Sequence, residues 1–207
     1  MSDKKRLFLV DAYALIFRGY YAFIKNPTIN SKGMDTSAII GFTNSLLDVI
    51  KRERPDHLAV CFDKGGSAIR NDMFPEYKAN RDATPEDIKD AVPWIKDLLN
   101  AYRIPIVEKL GYEADDIIGT IAKSAEKDGF EVYMVTPDKD YGQLLVKPNV
   151  YIWKPPAFGN KEEIVDAKKI CEKWDIARVE QVVDMLGLMG DASDNIPGIP
   201  GVGEKTA

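Results

Sequence analysis

Apolar runs in this chain end, repeatedly, on acidic residues. LFLV closes on Asp11 and LAVCF on Asp63, while the run FEVYMVT leads into TPDKD with Asp138 and Asp140. YEADDIIG brings Glu113, Asp115 and Asp116, and GDASDN brings Asp191 and Asp194. Short apolar runs of this length read as buried strands, and acids at their ends and at the starts of the following helices aim oxygens at one edge of a sheet. Nine carboxylates gathered there repel one another and raise one another's pKa. Hard cations relieve such a cluster, and oxygen-only ligands suit Mg²⁺ or Mn²⁺.

The pattern between these acids alternates strand and helix. Strands are expected at 7–10, 58–62, 104–108, 130–136 and 149–154. Helices are expected at 38–51, at about 85–102 with Pro93 kinking or restarting it, and from the EADD acids to Gly129. KDYGQLL reads as a short helix, the stretch after Arg18 with Tyr20, Tyr21 and Phe23 as part of a long first loop, and 64–85, with Gly65, Gly66, Pro75 and Pro85, as a mobile, partly helical excursion. Alternation of this kind predicts an α/β fold with helices on both faces of a mostly parallel sheet, whose ligands bind outside the carboxyl ends of the strands. The last fifty residues differ: KICEKW and RVEQVVDMLGLM read as short helices, and PGIPGVGEKTA as a Gly/Pro turn opening a further helix. The chain stops at Ala207 inside that expected helix, which reads as a fragment of something longer.

Composition excludes more than it selects. The chain has 207 residues, 45% hydrophobic and 29% charged, enough for one domain with a small appendage. No apolar run approaches a membrane span, and Asp11 cuts the first run too early for a signal peptide, so a cytoplasmic protein is expected. Two cysteines make no disulfide framework, and a single histidine, His57, read as a surface turn residue, argues against His-based zinc sites and Ser-His-Asp triads. The formal charge of −5 becomes +4 once the nine clustered carboxylates are set aside, so net charge does not exclude a nucleic-acid partner.

Two further constellations bear on that partner. Arg70, Lys78 and Arg81 are interleaved with Phe74 and Tyr77, as in segments that hold a phosphate backbone and stack a base; a charged surface helix is an equal reading without context. Gly198, Gly201 and Gly203 before Glu204-Lys205-Thr206 permit close backbone approach to an anion, resembling the hairpin of helix-hairpin-helix elements; the spacing is not that of a P-loop.

Taken in order, VDAYALIFR, VCFDKGG, YKANRDATPED, YEADDIIGTIAK, TPDKDYGQLL and GDASDNIPGIPGVGEKTA resemble the 5′-nuclease domain of bacterial DNA polymerase I, within the flap endonuclease superfamily. That resemblance implies a PIN-like central sheet at 1–165, a helical arch at about 64–92, and a partial helix-three-turn-helix element that binds duplex DNA at 166–207. It implies Asp11, Asp63, Glu113, Asp115 and Asp116 at a first, catalytic metal, and Asp138, Asp140, Asp191 and Asp194 at a second. It implies Lys78 and Arg81, helped by Arg70, at the scissile phosphate, with Tyr77 stacking the adjacent base. Gly198, Gly201, Gly203 and Lys205 would contact a downstream phosphate, with K⁺ at the hairpin. The implied protein is a monomer in the bacterial cytosol and nucleoid, fused to a polymerase domain, which cuts 5′ flaps and junctions and removes RNA primers from DNA. Gly142 departs from the family, where a larger residue is frequent.

Other readings were a non-catalytic DNA-binding module of the same fold, a phosphatase or receiver domain with an Asp nucleophile, and a small toxin-like RNase. Asp11 lacks the second Asp two residues on that the phosphatase pattern requires, and the RNase leaves the 64–92 segment and the hairpin unexplained. Tyr20, Tyr21 and Phe23 read as a satellite apolar cluster in the first loop, or as a wedge for a duplex end.

Overall fold

A computed structural model describes residues 4–156 and 162–207. Five parallel strands and one antiparallel edge strand form a single sheet: β1 (Arg6–Asp11), β2 (His57–Phe62), β3 (Ile106–Glu108), β4 (Glu131–Val135), β5 (Val150–Lys154) and β6 (Glu163–Val165), in the order β3-β2-β1-β4-β5-β6. The strands read as unbroken apolar runs because both faces are covered. Phe8 and Val10 of β1, with Val60, Phe62, Val135 and Trp153, pack against α1 (Ala12–Phe23), α2 (Ser37–Glu53) and α4 (Glu86–Ala101). Leu9, Cys61, Met134 and Ile152 point the other way, toward α5 (Ala114–Lys127), α6 (Ala167–Trp174) and α7 (Gln181–Met189). Residues 167–189 therefore share a core with the sheet through Ile170, Trp174, Val182 and Met185.

The register fixes where the acids fall. Val10 pairs with Val60 and with Val135, so the chain leaves β1, β2 and β4 at one level, and Asp11, Asp63 and Asp138 lie along that edge. Strand order reverses between β1 and β4, the position at which such sheets open a crevice.

The structure departs from the sequence reading at several points. Tyr20, Tyr21 and Phe23 lie not in a loop but in α1, with Asp11 as N-cap accepting from Ala14 N at 3.1 Å. Pro93 neither restarts nor ends its helix, since α4 runs through it; the proline lacks only one amide hydrogen bond. His57 is not in a turn but opens β2, its ring edge-on to Phe130. β6 was unexpected: three residues are too few to show a period. The Glu204-Lys205-Thr206 stretch forms one turn, which Ala207 N closes on Gly203 O at 2.9 Å with an i to i+4 bond, as at a helix start. The excursion at 64–85 contains one short helix, α3 (Ala68–Met73). Among the described residues no helix is long and apolar enough to cross a membrane.

Helices α1 and α2 meet at a glycine pair. A Cβ on Gly19 would stand 2.9 Å from Gly41 Cα and from Phe42 N, and one on Gly41 would overlap the Gly19 backbone. The close approach seats α1 so that its cap, Asp11, stays at the sheet edge. Gly142 has a similar reason: a Cβ there would lie 3.2 Å from two Ile170 side-chain atoms, so the glycine lets the 139–144 turn nest on α6. Gly41→Val is expected to cost about 3 kcal/mol in urea unfolding, as an overpacked helix contact does. Gly187→Ala, at an exposed helix position with open space around it, should stabilise by about 0.5–1 kcal/mol in the same assay.

Candidate active site

Each acid of the sheet edge is held by a local rule. Asp11 caps α1, and its second oxygen accepts from the Tyr141 hydroxyl at 3.2 Å. Asp63 accepts from Ala114 N at 2.5 Å, which ties the end of β2 to the start of α5. Glu113 is the N-cap of α5, and its own amide donates to Asp116 at 3.1 Å. Asp138 caps the 3₁₀ turn Lys139–Leu144 through Asp140 N at 2.9 Å. Asp191 folds the 191–194 turn, accepting from Ser193 N at 2.8 Å and Asp194 N at 3.3 Å. A backbone bridge between Asp191 and Ile196, and a close crossing of Gly190 over Gly198 that leaves no room for a Cβ on either, bring that loop back to the site.

The nine carboxylates lie in adjoining clefts. One of about 620 Å³ is lined by Asp11, Asp63, Glu113, Asp115 and Asp138, with Lys78 and Arg81 across from them. A second, of about 630 Å³, has Asp115, Asp140, Asp191 and Asp194 at one side and apolar Met73, Phe74, Leu186 and Ile196 at the other. A smaller one holds Asp116 with Asp115 and Asp140. Asp115 is common to all three.

Basic side chains from 70–81 reach into this group. Arg70 lies 2.8 and 3.0 Å from the two oxygens of Asp116 and 3.4 Å from Asp115. Lys78 Nζ is 2.8 Å from Glu113 Oε1, and Arg81 pairs with Asp194. Tyr77 is 9% exposed, with its hydroxyl 2.9 Å from Glu113 and 3.0 Å from Asp194. Its ring, expected to stack a base, is enclosed in this arrangement. Sequence reasoning missed Lys139, 3.2 Å from Asp191, and Tyr141; both lie in the DKDY stretch, read only for its acids. Gly201, Gly203 and Lys205 are exposed and stand apart from the clefts, and Gly203 N donates to Thr206 Oγ1 at 2.9 Å.

The electrostatics suit divalent cations. Burial, then the charges of Asp63 and Asp138, push Asp11 up to about 7 despite the Ala14 and Tyr141 hydrogen bonds. Asp115 is pushed up to about 6 by burial, against Arg70, and Asp140 to about 6 by burial and by Asp138 and Asp191. Asp140 Oδ1 is buried with no hydrogen-bond partner. An oxygen-only donor set in which Asp11, Asp115 and Asp140 have raised pKa values, with an orphaned carboxylate oxygen on Asp140, fits hard ions. As folded here, no group of three acidic, histidine or cysteine side chains stands ready-made for an ion among the described residues. Arg70, Lys78, Arg81 and Lys139 pair with Asp116, Glu113, Asp194 and Asp191 respectively.

The family profile described as 5′-3′ exonuclease, N-terminal resolvase-like domain, matches residues 6–175, and that described as 5′-3′ exonuclease, C-terminal SAM fold, matches 177–207. The chain is 46% identical to DNA polymerase I of Bacillus subtilis (strain 168) over its whole length, and 43% identical to DNA polymerase I of Bacillus caldotenax over 99% of it. It spans 23% of the length of each, about a quarter. Among solved structures, the zinc-bound 5′-exonuclease of T5 superposes with a TM-score of 0.77 at 25% identity, covering 98% of this chain and 73% of that one. A bacteriophage T5 flap endonuclease complexed with DNA and metal ions gives 0.73 at 25% identity, covering 97% and 72%.

Asp11, Asp115 and Asp140 have folded values above the 3.8 of an unfolded aspartate, so their neutral forms favour the fold. That stabilisation is complete below about pH 4 and is lost as pH rises through 6 to 7. In EDTA the melting temperature is therefore expected to fall between pH 5.5 and pH 8 in calorimetry. Asp11→Asn, which keeps the cap, should melt higher than the native protein at pH 8.

Proposed function

The chain belongs to the 5′-3′ exonuclease family, and from that membership we propose that it is a divalent-metal-dependent 5′ nuclease. It hydrolyses phosphodiesters at 5′ flaps and single-strand/duplex junctions, removing RNA primers and displaced strands in replication and repair. The observation that carries the reading is the facing of two charge sets: carboxylates from four separate stretches on one sheet edge, and Arg70, Lys78 and Arg81 above them.

Asp11, Asp63, Glu113, Asp115 and Asp116 would hold a first Mg²⁺ or Mn²⁺, and Asp138, Asp140, Asp191 and Asp194 a second. Such ions supply, when bound, charge neutralisation at the phosphate and activation of water. The protein's own groups do the rest. Asp63 and Glu113 are fixed at the meeting of β2 and α5, so their oxygens are placed before anything binds. Lys78 and Arg81, which line the same cleft as Asp11 and Asp63, are within reach of a phosphate laid in it. Cations so placed oppose charge that grows toward the transition state, and they count more there than in the ground state. Arg70, forked on Asp116, steadies the start of α5 and offers a further contact to the strand.

The two-unit reading, a core at 1–165 with an arch at 64–92 and a duplex-binding element at 166–207, is part of this proposal. In it the exposed Gly201–Gly203 turn and Lys205 contact phosphates of the duplex beyond the cut, with K⁺ at the turn. The protein acts as a monomeric unit in the bacterial cytosol, joined to a polymerase domain as in the relatives it matches.

Cleavage of a 5′-labelled double-flap DNA is the test. Product is expected with Mg²⁺ and none with EDTA. Asp63→Ala should abolish cleavage with an unchanged circular-dichroism spectrum, and near-normal activity in that variant refutes the role given to it. Lys78→Met should lower single-turnover cleavage by about 10²–10³-fold, the usual effect of removing one charge-stabilising donor. Tight junction binding without any cut would identify the chain as a binding module instead.

A further inference from the structure

Two parts of the molecule that a substrate and its ions need are occupied by each other. The 76–81 segment lies against the 191–195 loop. Lys78 N donates to Asp194 O at 2.9 Å, Asn80 Nδ2 to Ala192 O at 2.7 Å, Arg81 Nε to Ser193 O at 2.9 Å, and Asn195 Nδ2 to Glu76 O at 2.7 Å. Lys78 and Asn195, one on each side, have φ of 58° and 59°, a region that costs a non-glycine residue free energy. The docking holds both there.

Tyr77 stands at the centre of this contact. Its hydroxyl lies 2.9 Å from Glu113 Oε2 and 3.0 Å from Asp194 Oδ2, one acid from the start of α5 and one from the 191–195 loop, and its single proton is donated to one of them at a time. Lys78 takes the other oxygen of Glu113, and Arg81 the other oxygen of Asp194. Each of the four oxygens of these two carboxylates thus lies within hydrogen-bonding distance of a group from a single short segment. An ion that binds Glu113 or Asp194 competes with these groups for the same oxygens.

We propose that Tyr77 is a positioning residue that latches the 76–81 segment onto Glu113 and Asp194 in competition with divalent ions, so that ion binding frees the segment and turns Lys78 and Arg81 from internal counter-ions into ligands for the substrate phosphate. This rests on the reading of the carboxylates as an ion site. Linkage makes the competition reciprocal: whatever factor the latch takes from ion affinity, the ion takes from the latch. The device also orders events, because the cations become available to phosphate only where the carboxylates have been neutralised.

The experiment uses the native chain, Tyr77→Phe and Asn80→Ala, all without nucleic acid. Tyr77→Phe keeps the ring under Lys78 and removes only the hydroxyl. Asn80→Ala removes one exposed hydrogen bond of the same contact, and provides a second reading should the tyrosine variant fold poorly. Amide exchange at Lys78, whose N–H is bonded across the contact, is followed by mass spectrometry in EDTA and in saturating Mn²⁺, and Mn²⁺ binding is titrated by electron paramagnetic resonance. In EDTA the tyrosine variant should exchange about tenfold faster at 77–81, as loss of a hydrogen bond to a charged acceptor implies. It should bind Mn²⁺ about three- to tenfold more tightly. Mn²⁺ should speed exchange of the same amides in the native chain, and Asn80→Ala should shift both readouts the same way by less. Weaker Mn²⁺ binding by Tyr77→Phe, or unchanged exchange in a native chain that demonstrably binds Mn²⁺, overturns the latch while leaving the ion site standing. A native chain that binds no Mn²⁺ overturns both.

Discussion

Repulsion among carboxylates gathered at one sheet edge is the constraint to which the rest of the molecule responds. Nine acids that share adjoining clefts could not remain ionised without help. Some of the help is backbone: the amides of Ala14, Ala114, Asp140 and Asp194 donate to Asp11, Asp63, Asp138 and Asp191. Acids at helix N-termini also meet the favourable end of the dipole. Further help comes from side chains, with Arg70 on Asp116, Lys78 on Glu113, Arg81 on Asp194 and Lys139 on Asp191. Asp191 shows how far this goes: although burial raises it, Ser193 and Lys139 hold its pKa below the ordinary value. Asp11, Asp115 and Asp140 remain raised, and Asp140 keeps an oxygen with no partner. These mark where the protein's own groups fall short and where an added cation has most to offer.

The strands were legible because burial on both faces leaves a plain signature, a short apolar run cut off by an acid. The edge placement of Asp11, Asp63 and Asp138 followed from it without any knowledge of register. Helix α1 was not legible in the same way. Its aromatics and Gly19 obscure helical spacing, and the requirement they meet, close approach to Gly41, lies in another helix. The docking of 76–81 on 191–195 was hidden for a stronger reason. Tyr77 and Asp194 are 117 positions apart, and no local pattern encodes a contact at that separation. Tyr77 and its basic neighbours suggested a surface that faces a nucleic acid, whereas the tyrosine is turned inward. Lys139 was passed over because a lysine between two aspartates is an ordinary turn composition, and only its distance to Asp191 gives it a part.

Several acids at this edge have a second occupation, and that shapes the site. Asp11 and Asp138 are caps of the elements that follow them, and Asp63 joins β2 to α5. A carboxylate bonded to the backbone through one oxygen has its other oxygen aimed by the same bond. Orientation is then partly a by-product of folding, to which Tyr141 adds a hydrogen bond at the second oxygen of Asp11. The acids of the 191–195 loop are held differently. Asp191 and Asp194 sit on a turn closed by the Gly190–Gly198 crossing and by contacts to 76–81 rather than at the end of a strand.

The two sets of carboxylates therefore differ in what fixes them. Asp11, Asp63 and Glu113 are anchored in the sheet and its helices, and moving them requires breaking core contacts around Leu9, Cys61 and Ala114. Asp191 and Asp194 are anchored partly in the segment that faces the clefts, so anything that lifts 76–81 also loosens them. Loss of one hydrogen bond at Asn80 or Asn195 should thus be felt in the 191–195 loop and hardly at all in the sheet. In this chain the division between acids anchored in the core and acids anchored on a loop runs between Glu113 and Asp194, the two acids that Tyr77 joins.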